Sequence, residues 1–250
     1  MKKIILCATQ RCGSTLVMED MRNTGVLGMP EEWFIPWSPA KAGQNWREAL
    51  ASVYRRGTGD NGIFAVKIMA NQLFNIDACL STFKASTKGR GSFANIAEEF
   101  DHAAWVWLRR RDIVSQAISR LMAQQTGINH ATARPEEAHF AGNLARGLNP
   151  DYNAKTRYDY EAILREITSI NLENLAWADF FEQHRIKPIS FEYEDVIEDS
   201  MLSHLDQMGA AVATHIGPTR PKRKMIKLGN ERNREWRERF MAQAAEKNYR

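Results

Sequence analysis

The sequence has little cysteine: three residues in 250, Cys7, Cys12 and Cys79, none of them spaced as a C-x-x-C pair. An odd count without that spacing argues against a disulfide framework or a structural zinc site and suits a reducing compartment. Long apolar runs are also missing. Lys2 and Lys3 precede only the short run Ile4–Ala8, which Thr9, Gln10 and Arg11 end. A secretory leader needs roughly 7–15 apolar residues and a membrane span about 20, so the N-terminus reads as a buried strand and a cytoplasmic location is expected. Charge of one sign is scarce too. Lys and Arg number 34 against 30 Asp and Glu, a net +4, which suits an anionic ligand but is too small to argue for nucleic acid. No internal repeat, low-complexity tract or composition break divides the chain, and one domain over residues 1–250 is expected.

What remains is an ordinary globular composition, 44% hydrophobic and 26% charged, arranged as alternating strands and helices. Lys3–Ala8, Ile63–Met69, Ala103–Leu108 and Ile186–Tyr193 read as strands. Helices are expected from Ser14 to about Thr24, from Asp112 (its N-cap) to about Gln125, from Tyr158 to about His184, over Glu194–Met208, and from about Glu231 onward. Residues 26–48 read as irregular, with Trp33, Phe34, Trp37 and Trp46 forming either an aromatic surface loop or a wall on which a sugar stacks. Residues 126–157 read as loop with a short helix at most. The pattern gives an α/β fold with a mostly parallel sheet.

The segment that carries chemistry is Ile5-Leu6-Cys7-Ala8-Thr9-Gln10-Arg11-Cys12-Gly13-Ser14-Thr15-Leu16. A strand enters a short polar turn that opens a helix. The first N–H groups of a helix have no partner within it and lie at the positive end of its dipole, so such a turn takes anions. Gly13 lets the backbone approach closely, the hydroxyls of Ser14 and Thr15 donate, and Arg11 offers a planar fork. The turn is not a Walker A loop, because no Lys follows Gly13. It is not a C-x5-R phosphatase loop either, because Gly13 and Met18 stand six residues after Cys7 and Cys12.

This loop resembles the phosphosulfate loop of sulfotransferases, and its [TP]-R-S-G-S-T-L form is similar to that of the bacterial trehalose-type (Stf-type) branch. Gln10 and Cys12 stand where Pro and Ser are usual. Two more segments resemble that branch. Leu108-Arg109-Arg110-Arg111-Asp112 running to Ser119 looks like its 3′-phosphate element. Gly28-Met29-Pro30-Glu31-Glu32-Trp33-Phe34 looks like its G-x-P-x-E-[YW]-F segment, whose Glu is the general base. The resemblance implies a P-loop NTPase-like three-layer fold and 3′-phosphoadenosine 5′-phosphosulfate (PAPS) as donor, with no metal. It implies Glu32 as base and Arg11, Cys12, Gly13, Ser14 and Thr15 around the 5′-phosphate of the donor, with Arg11 also catalytic. Arg111 and Ser119 fall on the 3′-phosphate, and Lys227, in the basic stretch Arg220–Lys227, on a C-terminal phosphate clamp. A carbohydrate acceptor and a homodimer follow by the same route, with Trp33 and Lys67 as acceptor- or sulfate-side candidates.

Lys67 stands out on its own account, as a lysine inside the apolar strand Ala65-Val66-Lys67-Ile68-Met69. Three other readings compete. A kinase-like nucleotide enzyme lacks its Walker Lys and a strand-end Asp for Mg²⁺. A nucleic-acid module would use Arg220 to Lys227 and the arginines after it, but Glu231, Glu235 and Glu238 alternate with those arginines as on a solvated helix. A non-catalytic pairing scaffold would use the Pro- and Gly-containing middle.

Overall fold

The computed structural model describes residues 1–84, 91–141, 144–218, 220 and 222–248. In chain order they form β1 (Lys3–Ala8), α1 (Ser14–Asn23), α2 (Trp46–Gly57), β2 (Phe64–Met69), a 3₁₀ turn (Ala70–Gln72), α3 (Leu73–Ser81), α4 (Ala94–Glu99), β3 (Ala104–Arg109), α5 (Ile113–Thr126), β4 (His130–Thr132), β5 (Leu144–Arg146), α6 (Tyr160–Gln183), β6 (Ile189–Glu192), α7 (Tyr193–Glu198), α8 (Ser203–Ala211) and α9 (Glu231–Asn248). They group into two compact units, Met1–Arg109 with Glu173–Lys222 and Arg110–Leu172 with Arg223–Arg250.

The first unit is an α/β unit whose four-stranded sheet has the order β2-β1-β3-β6, parallel throughout. β1 and β2 are almost wholly buried along their length, as strands covered on both faces must be. β1 pairs with β2 on one side and β3 on the other, with Ala8 opposite Met69 and Cys7 opposite Trp107. The chain therefore leaves β1 where strand order reverses, at the carboxyl edge of the sheet, which is where open α/β sheets hold ligands.

Three of the four aromatic residues singled out in 26–48 form neither a surface loop nor a sugar wall. Phe34, Trp37 and Trp46 are 1%, 4% and 7% exposed and belong to the core with Phe64, Phe100, Trp105, Trp177 and Phe180. Phe34 meets Trp37 edge-on at 4.9 Å between ring centroids. Burying a ring of this size contributes about 2 kcal/mol or more, so the segment owes its place to packing rather than to regular hydrogen bonding. Trp46 also opens α2, capped by Asn45, whose side chain accepts the Glu48 N–H. A buried pair ties α1 to α8: His204 Nε2 lies 3.1 Å from Asp20 Oδ2.

The helix expected over Glu194–Met208 is broken into α7 and α8. The Asp199 carboxylate accepts the N–H groups of Met201 and Ser203 and the Ser203 hydroxyl, and Leu202 turns through φ 51°. An aspartate that satisfies the backbone in this way stops one helix and caps the next.

In the second unit, Ala117, Ile118, Leu121 and Met122 of α5 pack with Ile163, Ile170, Trp236 and Phe240. Asp112 caps α5 by accepting the Ser115 N–H at 2.9 Å, and Gly127 ends it at φ 71°. Residues 126–157 are not merely loop: β4 and β5 pair in parallel, and Ile226 N–H donates to Ala131 O. These pairings join segments far apart in the chain, which no local periodicity reports. Residues 142 and 143, and position 221 in the basic stretch, lie outside the described residues.

Candidate active site

The turn after β1 is shaped by two left-handed residues, Arg11 at φ 66° and Gly13 at φ 90°. Trp177 Nε1 donates to Ala8 O at 3.1 Å and fixes the strand end. Gly13 is required twice. A side chain disfavours its φ, and a Cβ there would sit 2.2 Å from Cδ2 of Tyr193, whose ring fills the space. Ser14 and Thr15, the first residues of α1, are buried, 4% and 5% exposed. Cys12 is wholly buried, and burial pushes its thiol up, so it is no thiolate nucleophile. Of this residue only the backbone is suited to an anion.

The segment Gly28–Phe34 lies against β2. Gly28, at φ 74°, allows the contact, since a Cβ there would come within 2.8 Å of Ala65 N. Met29 N–H donates to Gly57 O, and Lys67 N–H donates to Glu31 O. This register turns the two neighbouring carboxylates to different partners. Glu31 pairs with Arg22 at 3.8 Å, and burial raises its carboxyl against the pull of that arginine. Glu32 pairs with Lys67, Nζ to Oε1 2.6 Å.

Lys67 does not turn its amine to solvent. It is 1% exposed, and its Nζ also lies 3.4 Å from Ser14 Oγ and 3.3 Å from Thr15 Oγ1. One buried ammonium therefore joins the candidate base to both hydroxyls of the anion loop. Glu32 keeps 26% of its side chain exposed, so the carboxylate is reachable from outside while its charge is compensated from inside. Trp33, beside it, donates from Nε1 to Met29 O and carries the Arg56 guanidinium 3.9 Å over its ring.

Arg111, Ser119 and Lys227 belong to the second unit. Arg111 is exposed just before α5, Ser119 is half-buried within it, and Lys227 is exposed in the extended stretch before α9. Ser115 is committed to Asp112, its Oγ donating to Oδ2 at 2.7 Å. Arg237 also reaches Asp112, Nε to Oδ2 3.0 Å. Burial alone would raise the Asp112 carboxyl, but the Ser115 and Arg237 hydrogen bonds outweigh it and hold the carboxyl below its ordinary value.

Two residues near the loop escape a reading of the sequence. Tyr193, the first residue of α7, packs on Gly13. Gln72 ends the 3₁₀ turn after β2 and donates from Nε2 to Glu32 Oε2 at 3.3 Å. The one signal for Gln72 is its place, a polar residue three positions past the carboxyl end of a buried strand.

Comparison with known proteins places nearly the whole chain. The family model described as Stf0 sulphotransferase matches residues 3–243. The trehalose 2-sulfotransferase of Mycolicibacterium smegmatis is 24% identical, the alignment covering 96% of this chain and 94% of that one. The trehalose 2-sulfotransferase of Mycobacterium tuberculosis is 25% identical with the same coverage. A crystal structure of a sulfotransferase from Alicyclobacillus acidocaldarius matches with a TM-score of 0.49 at 11% identity, over 97% of this chain and 92% of that one. A likeness at that level adds nothing to the family match.

Proposed function

The chain belongs to the Stf0 sulphotransferase family, and on that premise we propose that it moves a sulfuryl group from PAPS to a hydroxyl of a carbohydrate, either trehalose or a sugar of a cell-surface glycan. The observation that carries the proposal is the position of Lys67, whose Nζ touches Glu32 and both loop hydroxyls. A base for an acceptor hydroxyl and a cradle for an anion lie on either side of one cation, which is what sulfuryl transfer asks of a protein.

The roles follow from the chemistry. Glu32 takes the proton from the acceptor hydroxyl as its oxygen bonds to sulfur. The bond from sulfur to the 5′-phosphate oxygen breaks, and charge grows on that phosphate. Arg11, the backbone from Cys12 to Thr15 and the hydroxyls of Ser14 and Thr15 stabilise it, while Lys67 serves the sulfate oxygens. Arg111 and Ser119 hold the 3′-phosphate, with Lys227 as an additional phosphate contact. Trp33, adjacent to Glu32, belongs to the acceptor side. By resemblance the proposal extends to one catalytic domain over 1–250, acting in the cytoplasm as a homodimer. Among the described residues no helix is long and apolar enough to cross a membrane.

The test is incubation with PAPS and a panel of sugars that includes trehalose, read by mass spectrometry for a sulfate adduct, with Mg²⁺ and ATP in a parallel arm. Sulfate transfer that Glu32→Gln abolishes supports the reading. Phosphate transfer from ATP in place of sulfate transfer, or near-normal turnover by Glu32→Gln, contradicts it.

A further inference from the structure

We propose that Gln72 is the positioning residue of Glu32, holding one carboxylate oxygen while Lys67 holds the other. The inference rests on the assignment of Glu32 as the base. Lys67 Nζ meets Oε1 at 2.6 Å, and Gln72 Nε2 meets Oε2 at 3.3 Å. Glu32 is thus gripped by two donors from one stretch of chain, β2 and the turn that follows it. Two donors on separate oxygens fix both the rotation of the carboxylate and its place, which one ion pair does not.

The amide orientation of Gln72 is set by its own partner. Gln72 Oε1 accepts the Met69 N–H at 3.0 Å. A backbone N–H requires an acceptor, so the oxygen faces Met69 and the NH₂ group faces Glu32. The reverse orientation would oppose donor to donor and oxygen to carboxylate. The last residue of β2 thereby orients the side chain that orients the base. Glu31 stands on the same segment as Glu32, and Arg22 of α1 and Arg56 of α2 act on it.

Gln72 therefore turns the carboxylate in one direction, and removing its NH₂ group frees the base to rotate away from an acceptor hydroxyl.

Two substitutions separate this role from a purely structural one. Gln72→Glu keeps an oxygen for the Met69 N–H, but it removes the NH₂ group and sets a negative charge beside Glu32. Gln72→Ala removes both bonds. The measurement is sulfate transfer from PAPS, read as kcat and KM, beside the melting temperature. kcat is expected to fall by about tenfold or more in both variants while KM for PAPS stays within about twofold. Affinity for 3′-phosphoadenosine 5′-phosphate, measured by calorimetry, is expected to stay within about twofold in both, because the loop hydroxyls and Lys67 remain.

A near-normal kcat in both variants overturns the inference. A kcat that falls in Gln72→Ala but not in Gln72→Glu also overturns it, because the tie to Met69 would then be the active element. The assignment of Glu32 as base fails by a separate observation, near-normal sulfate transfer by Glu32→Gln, whatever the Gln72 variants do.

Discussion

The candidate site residues of the two units handle charge in opposite ways. In the first, Lys67 is 1% exposed and meets a carboxylate and two hydroxyls at once. In the second, Arg111 and Lys227 are exposed, and Arg237, 45% exposed, bonds a partly buried carboxylate. A buried ammonium is costly to desolvate and is kept only where its partners are fixed. That cost yields a preorganised cluster, the arrangement that stabilises charge as it develops. Exposed cations cost little and screen easily, which suits gripping an anion that does not react. On the proposed function the first arrangement serves chemistry and the second binding.

The contrast breaks first at Lys67. Lys67→Ala should lower stability by about 3 kcal/mol, read as a fall in the urea midpoint, because it leaves Glu32 without its cation and empties a buried site. Lys67→Met should recover the packing part of that stability, since it refills the site without restoring the cation, while sulfate transfer is abolished in both variants. Recovery of transfer along with stability would show that the lysine only packs. Next comes Gly13→Ala, expected to cost about 2 kcal/mol and to remove binding of 3′-phosphoadenosine 5′-phosphate, since it meets both a left-handed φ and the Tyr193 ring. Adding Tyr193→Ala should relieve the collision but not the backbone term, so only part of the stability returns in thermal melts.

Smaller effects are expected in the second unit. Arg111→Ala should weaken 3′-phosphoadenosine 5′-phosphate binding by about tenfold with an unchanged melting temperature. A stability loss there as large as that at Lys67 would erase the contrast. Asp112→Ala should remove an N-cap worth about 1 kcal/mol. The Asp112 carboxyl is held below its ordinary value, so its contribution is full above the unfolded value of about 3.9. It fades as pH falls through the lower folded value. Melting temperatures of wild type and Asp112→Ala should therefore differ at pH 7 and draw together toward pH 3.

The parts legible in the sequence are the local ones. β1, the polar turn and α1 follow one another within twenty residues, and the apolar run, Gly13 and the helical spacing each announce their element. The cap at Asp112 reads in the same way. α2 is legible only at its start, where Asn45 and Glu48 carry a signal of the N-x-x-E kind, and Pro30, Pro36 and Pro39 before it make residues 26–48 read as irregular. The grip on Glu32 was half visible. Lys67 is conspicuous in an apolar strand, but Gln72 is 40 residues from Glu32 and only the register of β2 against residues 28–34 brings the two together. The break at Asp199 and the β4–β5 pairing depend on side-chain-to-backbone and long-range bonds that periodicity does not encode.

The most direct measurement of the central claim is calorimetric titration of the purified protein with 3′-phosphoadenosine 5′-phosphate, with AMP and ADP as controls. The account predicts tight binding that depends on the 3′-phosphate and is lost in Gly13→Ala. Equal binding of ADP, or no binding at all, would contradict the reading of the turn after β1 as a phosphosulfate loop.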